Sequence, residues 1–357
     1  MTELPTPEID CKQVAHYILH HRIWQASDHG PTLRVVFDAS RPTSTGVSLN
    51  DVMFRGPKLQ REIWLVLLRW RQHRVAFCMD VQMMYRQIMI DDRDVDWQRT
   101  LWSPSASEPA RHYRLKTVTY GTTCAPYLAL RTMQQLYTDD GAQLPAARHA
   151  LLHDRYVDYI LSGSADLSTA KDLCDELIRL MKAGGFTLCK WVTNDPRLLE
   201  ELDTDTCLRP DWVMFTDEDP VKELGVAWNL KRDSLCLRYS NSEREPRSPR
   251  CARSHLRPLW LVAPATLLDK MLVQDLWRVR LDWDDELHEN AIREWKTIRE
   301  GLDRLTEVSI PRWTQSTPTS IDAQIHVFAD VFASSDGRCC LLTSPTRRPR
   351  SSASARR

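Results

Sequence analysis

Nowhere does the sequence approach the roughly 18 uninterrupted apolar residues of a membrane-spanning helix, so no membrane span is expected. The first residues, MTELPTPEIDCK, lack the basic stretch followed by an apolar one that marks a secretory leader. A cytoplasmic or nuclear protein is therefore expected, not a secreted one. Spaced cysteine pairs are missing too. The ten Cys are scattered, and the one close pair, Cys339 and Cys340, is adjacent, which argues against a disulfide framework or a zinc site and for reduced thiols. Net charge is absent, with 48 basic residues against 48 acidic. Bulk charge thus gives no support to nucleic-acid binding, and any basic surface must be local. No internal repeat is visible.

What is present is a chain of 357 residues, 42 % hydrophobic and 27 % charged, with room for two or three domains that each bury a core. Residues 1–30 are polar and weakly patterned. LRVVF (33–37) reads as a strand and 38–51 as a long loop. The segment 58–74 carries Leu59, Ile63, Trp64, Leu67 and Trp70 at helical spacing, and VAFCMDV (75–81) is a short apolar run that predicts a buried strand. A loop over 103–111 precedes the strand-like 112–120. Helices are predicted over 125–137 and 165–183, the second capped near Asp166 or Ser168 and stopped by Gly184-Gly185. The stretch 240–258 is rich in Ser, Arg and Pro, as a linker or degenerate segment would be. Helical patterns return at 263–281 and 285–306, a strand at 324–333, and the basic tail 344–357 reads as disordered.

Two carboxylates are awkwardly placed. Asp80 ends the apolar run 75–81, and Asp158 sits in DRYVDYILSG (154–163) among strand-forming residues. Buried carboxylates are costly unless paired or bound to metal. A strand-end Asp that caps a turn is the plain reading of either one. Taken together, with no obvious basic partner for either, they suit a shared divalent cation. Hard oxygen ligands favour Mg²⁺, which also grips phosphates during phosphoryl or nucleotidyl transfer.

Six segments in order carry a resemblance: RVVFDAS (34–40), FCMDVQMMYRQI (77–88), YRLKTVTYGTTCAPYLALR (113–131), YVDY (156–159), GGFTLCKW (184–191) and KELGVAWNL (222–230). The chain resembles a reverse transcriptase, and more narrowly the polymerase of Pao/Bel long-terminal-repeat retrotransposons, over about residues 15 to 330. The resemblance implies an α+β right-hand polymerase fold, with fingers and palm over 31–235 built from an antiparallel sheet and packed helices. A linker over 236–258, a helical connection region over 259–320 and an incomplete ribonuclease H-like strand over 321–343 would follow. Its implied partners are an RNA or DNA template-primer and deoxynucleoside triphosphates, and its implied cofactor is Mg²⁺ or Mn²⁺.

Residue by residue, the resemblance makes Asp80 and Asp158 the catalytic metal ligands and Lys190 the group that protonates the leaving pyrophosphate. Arg34, Val81, Tyr85, Tyr120 and Gly121 would bind the nucleotide, Arg34 by matching paired phosphate oxygens. The Lys that many relatives carry just before this strand is replaced by Thr32 and Leu33. Tyr85 would screen out a 2′-hydroxyl, or it is ordinary core. Gly121 would allow close approach of a ligand or of backbone, or is a turn residue. Lys190 is alternatively a solvated surface Lys. Leu224-Gly225 resembles the hairpin that holds the primer end, and Trp191 and Trp228 read as core.

The family's motif at 156–159 is Tyr-x-Asp-Asp at a hairpin tip, where this chain has Tyr156-Val157-Asp158-Tyr159. Tyr159 stands where the second carboxylate would be. Its loss predicts activity lower by roughly three orders of magnitude, at about 1.4 kcal/mol per tenfold. Asp154 cannot substitute, since four residues along a regular strand is ~13 Å, and Asp166 starts a helix. HVFADVFASSDG (326–337) resembles the first ribonuclease H strand, with Asp330 as its first ligand. Asp336 is the one acid among the 27 residues that follow Asp330, so no ribonuclease H activity is expected. A non-catalytic protein that keeps a nucleic-acid groove is the alternative reading.

Overall fold

The computed structural model describes residues 1–4, 15–25, 31–200, 212–215, 224–239, 263–281, 285–305, 307–315, 324–332 and 335–343. The basic tail at 344–357 and residues 240–258 of the expected linker lie outside them, whereas residues 236–239, also assigned to that linker, belong to a strand. Strands β1 (Thr2–Glu3), β2 (Leu19–Gln25) and β3 (Thr32–Asp38) open the chain, followed by helices α1 (Leu49–Val52) and α2 (Ile63–Trp70), strand β4 (Val75–Val81) and the single turn α3 (Met84–Gln87). Strands β5 (Arg99–Trp102) and β6 (Arg111–Arg114) lead to helices α4 (Ala125–Asp139) and α5 (Pro145–His153). Next come β7 (Arg155–Tyr156), β8 (Tyr159–Ser164), α6 (Leu167–Ala183) and β9 (Leu188–Thr193). Beyond lie β10 (Trp212–Phe215), β11 (Leu224–Asn229), β12 (Ser234–Tyr239), α7 (Ala263–Arg278), α8 (Glu289–Leu305), β13 (Ser309–Pro311), β14 (Gln324–Phe332) and β15 (Ser335–Thr343).

The arrangement is set by β4, whose seven residues are all buried. It is the inner strand of an antiparallel sheet ordered β7-β8-β4-β9, and its side chains alternate between two cores. Val75, Phe77, Met79 and Val81 join the apolar faces of α4, α5 and α6, including Ala129, Met133, Leu151, Leu177 and Met181. Ala76 and Cys78 face the other way, onto Val66, Leu67 and Trp70 of α2 and onto Trp228 of β11. Asp80 shares this second face and ends it. Helix α6 starts at Asp166, whose carboxylate accepts from the Thr169 N–H, and stops at Gly184-Gly185, where Gly185 takes φ 75°.

Sequence and structure differ in instructive places. The helix predicted over 58–74 runs only from Ile63 to Trp70, because the preceding segment is drawn into tertiary hydrogen bonds: Gln60 Oε1 accepts from Val157 N–H and Arg61 Nε donates to the Leu152 carbonyl. The strand over 112–120 stops at Arg114, with a single further bridge between Met89 and Thr117. Strand β2 lies within the stretch read as unpatterned, since LHHRIWQ has no alternation of its own and takes its form from pairing with β3. Helix α5 is Ala-rich and short, and its apolar stripe is faint in sequence. Among the described residues no helix is long and apolar enough to cross a membrane.

Strands β10-β11-β12-β13 form a second antiparallel sheet, joined to the first core through Arg312 at the end of β13. This side chain is fully buried. Nε and Nη2 donate to the two carboxylate oxygens of Asp233 at 2.6 and 2.8 Å, a paired geometry that suits guanidinium. Nη1 donates to the carbonyls of Trp70 and His73, and Nη2 to that of Arg74, satisfying the orphan end of α2. The cation also lies 5.0 Å from the Trp70 ring centre and 5.8 Å from that of Trp228. Replacing Arg312 by Met leaves the Asp233 carboxylate without its cation and the His73 carbonyl without its side-chain donor. Urea denaturation is expected to show a loss of about 3 kcal/mol or more, and a loss under about 1 kcal/mol would show that the joint is incidental.

Candidate functional site

The end of β4 meets the β7–β8 hairpin. Asp80 is the register partner of Tyr159, and the Val81 N–H donates to the Asp158 carbonyl at 2.9 Å. The two acids that are far apart in sequence are thus brought to neighbouring backbone positions. Asp158 is not within a strand, as its apolar neighbours suggest, but is the second residue of the two-residue turn Val157-Asp158. Val157 has φ 54°, a conformation that two-residue hairpins demand at their first central position and that a β-branched side chain disfavours. Its backbone is held on both sides: Val157 N–H donates to Gln60 Oε1 at 2.9 Å, and Arg155 Nη1 donates to the Val157 carbonyl at 3.2 Å.

Opposite the turn, β9 carries one extra residue. Cys78 pairs with Val192 and Asp80 with Cys189, so one β4 residue, Met79, faces two on β9, Lys190 and Trp191. The bulge falls at Lys190, in the left-handed region at φ 54°, and it lets Leu188 and Trp191 both face the helical core. It also delivers the Lys190 ammonium to Asp80, with Nζ 2.5 Å from Oδ2. This corrects the expectation that Asp80 has no basic partner. The partner is 110 residues away in sequence, and no local pattern announces it. Burial alone would lower the Lys190 pKa, but the hydrogen bond and charge of Asp80 outweigh it and hold the ammonium above the usual lysine value. Asp80 is itself buried, whereas the Lys190 side chain is 55 % exposed.

Tyr159 occupies the remaining side of this group. Burial, and then the charge of Asp80, push its phenol up to about 12, so it is a neutral hydroxyl at any physiological pH. Cys189 is raised by the same two causes and stays a thiol. The carboxylates here are Asp80 and Asp158, and Asp80 is held by the Lys190 ammonium. Among the described residues no group of three His, Cys, Asp or Glu side chains comes together as a metal would require. Two carboxylates beside a neutral phenol, with Asp80 already holding an ammonium, do not make a fitting two-metal centre.

The other sequence-derived candidates fall into a string leading away from Asp80. Tyr85, on α3, is part-buried against the helical core. Its neighbour Arg86, which the sequence reading passed over, lies 5.8 Å from the Tyr120 ring centre and donates to its hydroxyl at 3.4 Å. The Tyr120 hydroxyl in turn donates to the Val35 carbonyl of β3 at 2.6 Å, and its ring packs on Phe37. Gly121 has φ 93°, and a Cβ there would stand 2.3 Å from the Phe37 carbonyl, so the close approach is to backbone. Asn50, also missed, fastens this corner by donating to the Gly121 carbonyl and accepting from Thr123 N–H. Arg34 lies exposed on the same hairpin, paired with Ile23.

Leu224 and Gly225 begin β11 and pair with Tyr239 and Arg238, while Asp330 lies in β14 opposite Gly337. Trp191 and Trp228 are core, as expected. Asp166 is the α6 cap. Asp154 ends α5 and does not lie in a strand; it is buried, accepts from Arg69 Nε at 2.9 Å and Ser162 Oγ at 2.7 Å, and serves the fold.

A family model described as the Pao retrotransposon-like RNaseH-like domain matches residues 253–353. No curated protein matches the chain. Among solved structures, the foamy viral protease-reverse transcriptase dRH in complex with ds DNA is similar at TM-score 0.53 and 12 % identity, over 90 % of this chain and 48 % of that one. The foamy viral protease-reverse transcriptase in complex with RNA/DNA hybrid is similar at TM-score 0.53 and 11 % identity, over 89 % and 37 %. This chain thus spans less than half the length of those two. The likeness shows a mixed α+β fold resembling a retroviral reverse-transcriptase polypeptide, and the matched segment relates the chain to retrotransposon proteins.

The Asp80–Lys190 pair is open to a double-mutant cycle. Asp80→Asn, Lys190→Met and the double variant are expected to give a coupling of about 0.5–1 kcal/mol at low salt, limited by the exposure of the lysine and reduced in 1 M NaCl. Zero coupling at low salt would mean that the two charges do not meet in solution.

Proposed function

We propose that the chain is a retrotransposon-derived reverse transcriptase of the Pao/Bel type in which nucleotidyl transfer is weak or lost. In this reading β2–β3 are fingers, and the sheet β7-β8-β4-β9 with α4, α5 and α6 is the palm. An RNA or DNA template-primer is the partner, a reading favoured by the nucleic acids named for the two foamy viral structures. The string from Asp80 through Arg86, Tyr120 and β3 is where a deoxynucleoside triphosphate would lie, with Arg34 toward its phosphates.

The observation that carries the reading is the pairing of Asp80 with Tyr159 across the sheet, beside the Val157-Asp158 turn. A strand-end acid set against a Tyr-x-Asp hairpin is what a polymerase palm would present, and in this reading the ring at Tyr159 is its lesion. Intact members of that family use Mg²⁺ or Mn²⁺. Here the donor set falls short of such a centre, which favours the second reading, a nucleic-acid-binding protein without polymerase turnover. The matched segment 253–353 supports a retrotransposon source for the whole chain.

Primer extension with Mg²⁺ or Mn²⁺ on the wild type and on Tyr159→Asp separates the possibilities. The variant is expected to exceed the wild type by about a thousandfold. If both are inert yet bind template-primer with an affinity that falls as salt rises, the protein is a binding module. Wild-type turnover equal to that of the variant would overturn the argument from Tyr159.

A further inference from the structure

Beside the β7–β8 hairpin, between α4, α5 and the extended segment before α2, lies a cavity of about 170 Å³. Its polar lining is Gln60, Arg61, Gln134, Tyr137 and Arg155, and the rest is leucine. No acidic side chain lines it. The nearby acids are engaged elsewhere: Glu62 pairs with Lys58, Asp154 with Arg69, and Glu176 accepts from the backbone N–H groups of Ala146 and Ala147.

Arg155 is the unusual member. Its Nε donates to the Leu151 carbonyl at 3.4 Å and its Nη1 to the Val157 carbonyl at 3.2 Å. The remaining guanidinium donors have no protein partner, and Arg155 has no carboxylate within ion-pair reach, among the described residues. By surface area the residue keeps some contact with solvent, yet it is deep enough that burial lowers its pKa to about 10. At neutral pH it is still a full cation. A guanidinium only partly open to water, held by two carbonyls and no carboxylate, is less well compensated than a paired one, and an anion in the cavity would supply the missing charge. Arg61, anchored by its Nε to the Leu152 carbonyl at 2.7 Å, presents a second guanidinium to the same space.

We infer that this cavity is an oxyanion site for a single phosphate group, with Arg155 as the buried anchor and Arg61 as the second cation. Donors converge on it from α4, β7 and the segment before α2, as a tetrahedral anion requires. The Gln134 amide and the Tyr137 hydroxyl supply neutral hydrogen bonds beside the two charges. The phosphate is either free in solution or part of a nucleic-acid backbone. Binding reaches the candidate site, because Arg155 and Gln60 also hold the two backbone polar groups of Val157, next to Asp158. The inference does not rest on polymerase activity.

Isothermal titration of the full chain with inorganic phosphate at low ionic strength is the primary test. Binding in the millimolar range or tighter is expected, weakened about tenfold or more in Arg155→Gln. A second arm measures the affinity of a fluorescent single-stranded oligonucleotide with and without phosphate. Competition assigns the site to a strand phosphate, whereas phosphate binding without competition assigns it to the free anion. If Arg155→Gln fails to fold, Arg61→Gln and Gln134→Leu take its place, each expected to weaken phosphate binding severalfold. No phosphate binding by the wild type, or binding that none of the folded variants alters, overturns the inference.

Discussion

The guanidinium of Arg312 is the contact through which the later chain becomes part of the same body as the first sheet. It fills the gap between two tryptophans, takes both oxygens of Asp233 and closes the carbonyl end of α2. The Trp228 indole N–H also donates to Asp233, so strand β11, the turn into β12 and strand β13 share one polar centre within an apolar wall. Arg71 adds two further bonds from α2 to the carbonyls of Pro311 and Arg312. A buried charge of this kind is a weak source of net stability but a strong source of specificity, because no slipped register would satisfy all of its donors. With α2 fixed from behind, its front face can press on Ala76 and Cys78, and the end of β4 is placed.

From that placement the candidate site follows by alternation. Odd residues of β4 go to the helices and even residues to α2, so Asp80 arrives on the α2 face at the end of the strand. The opposing strand has to break register to reach it. A regular β9 would put Lys190 and Trp191 on opposite sides with Leu188 on the side away from Trp191; the one-residue bulge keeps both apolar side chains in the helical core and leaves Lys190 free to turn to Asp80. The backbone conformation at Lys190 is one that glycine adopts more readily, costing about 1 kcal/mol or more. That cost is met by the packing of Trp191 and Leu188 and by the ion pair.

Much of this was legible in the residues. β4 announces itself by an apolar run, α6 by its cap and its double glycine, and Asp80 and Asp158 by being acids where acids are expensive. The tip position of Asp158 came through the resemblance alone, since Tyr156, Val157 and Tyr159 all favour strand and nothing local demands a turn; positive φ at a valine is the opposite of a turn signal. What the sequence hid was long-range. The partners Lys190 for Asp80, Arg69 for Asp154 and Asp233 for Arg312 are separated by 110, 85 and 79 residues. Charge pairs of that span leave no period to read. Strand β2 was hidden for a related reason, since its order comes from β3 and not from its own pattern.

The charge balance at the hairpin decides between chemistry and binding. Three carboxylates at a palm would leave a surplus of negative charge that only divalent cations could neutralise. In this chain a neutral phenol stands at 159 and the Lys190 ammonium offsets the charge of Asp80, so the cluster carries less uncompensated negative charge than three carboxylates would. On the proposed reading, a hairpin that draws a metal less strongly is also less able to stabilise developing negative charge there. Holding a strand is a different demand. It needs donors and cations, and those present outside the cluster are Arg34 on β3, Arg86 against Tyr120, and Arg61 and Arg155 behind the Val157 turn. The proposed loss of turnover and the proposed binding of a strand are therefore compatible in one structure, because they depend on different residues.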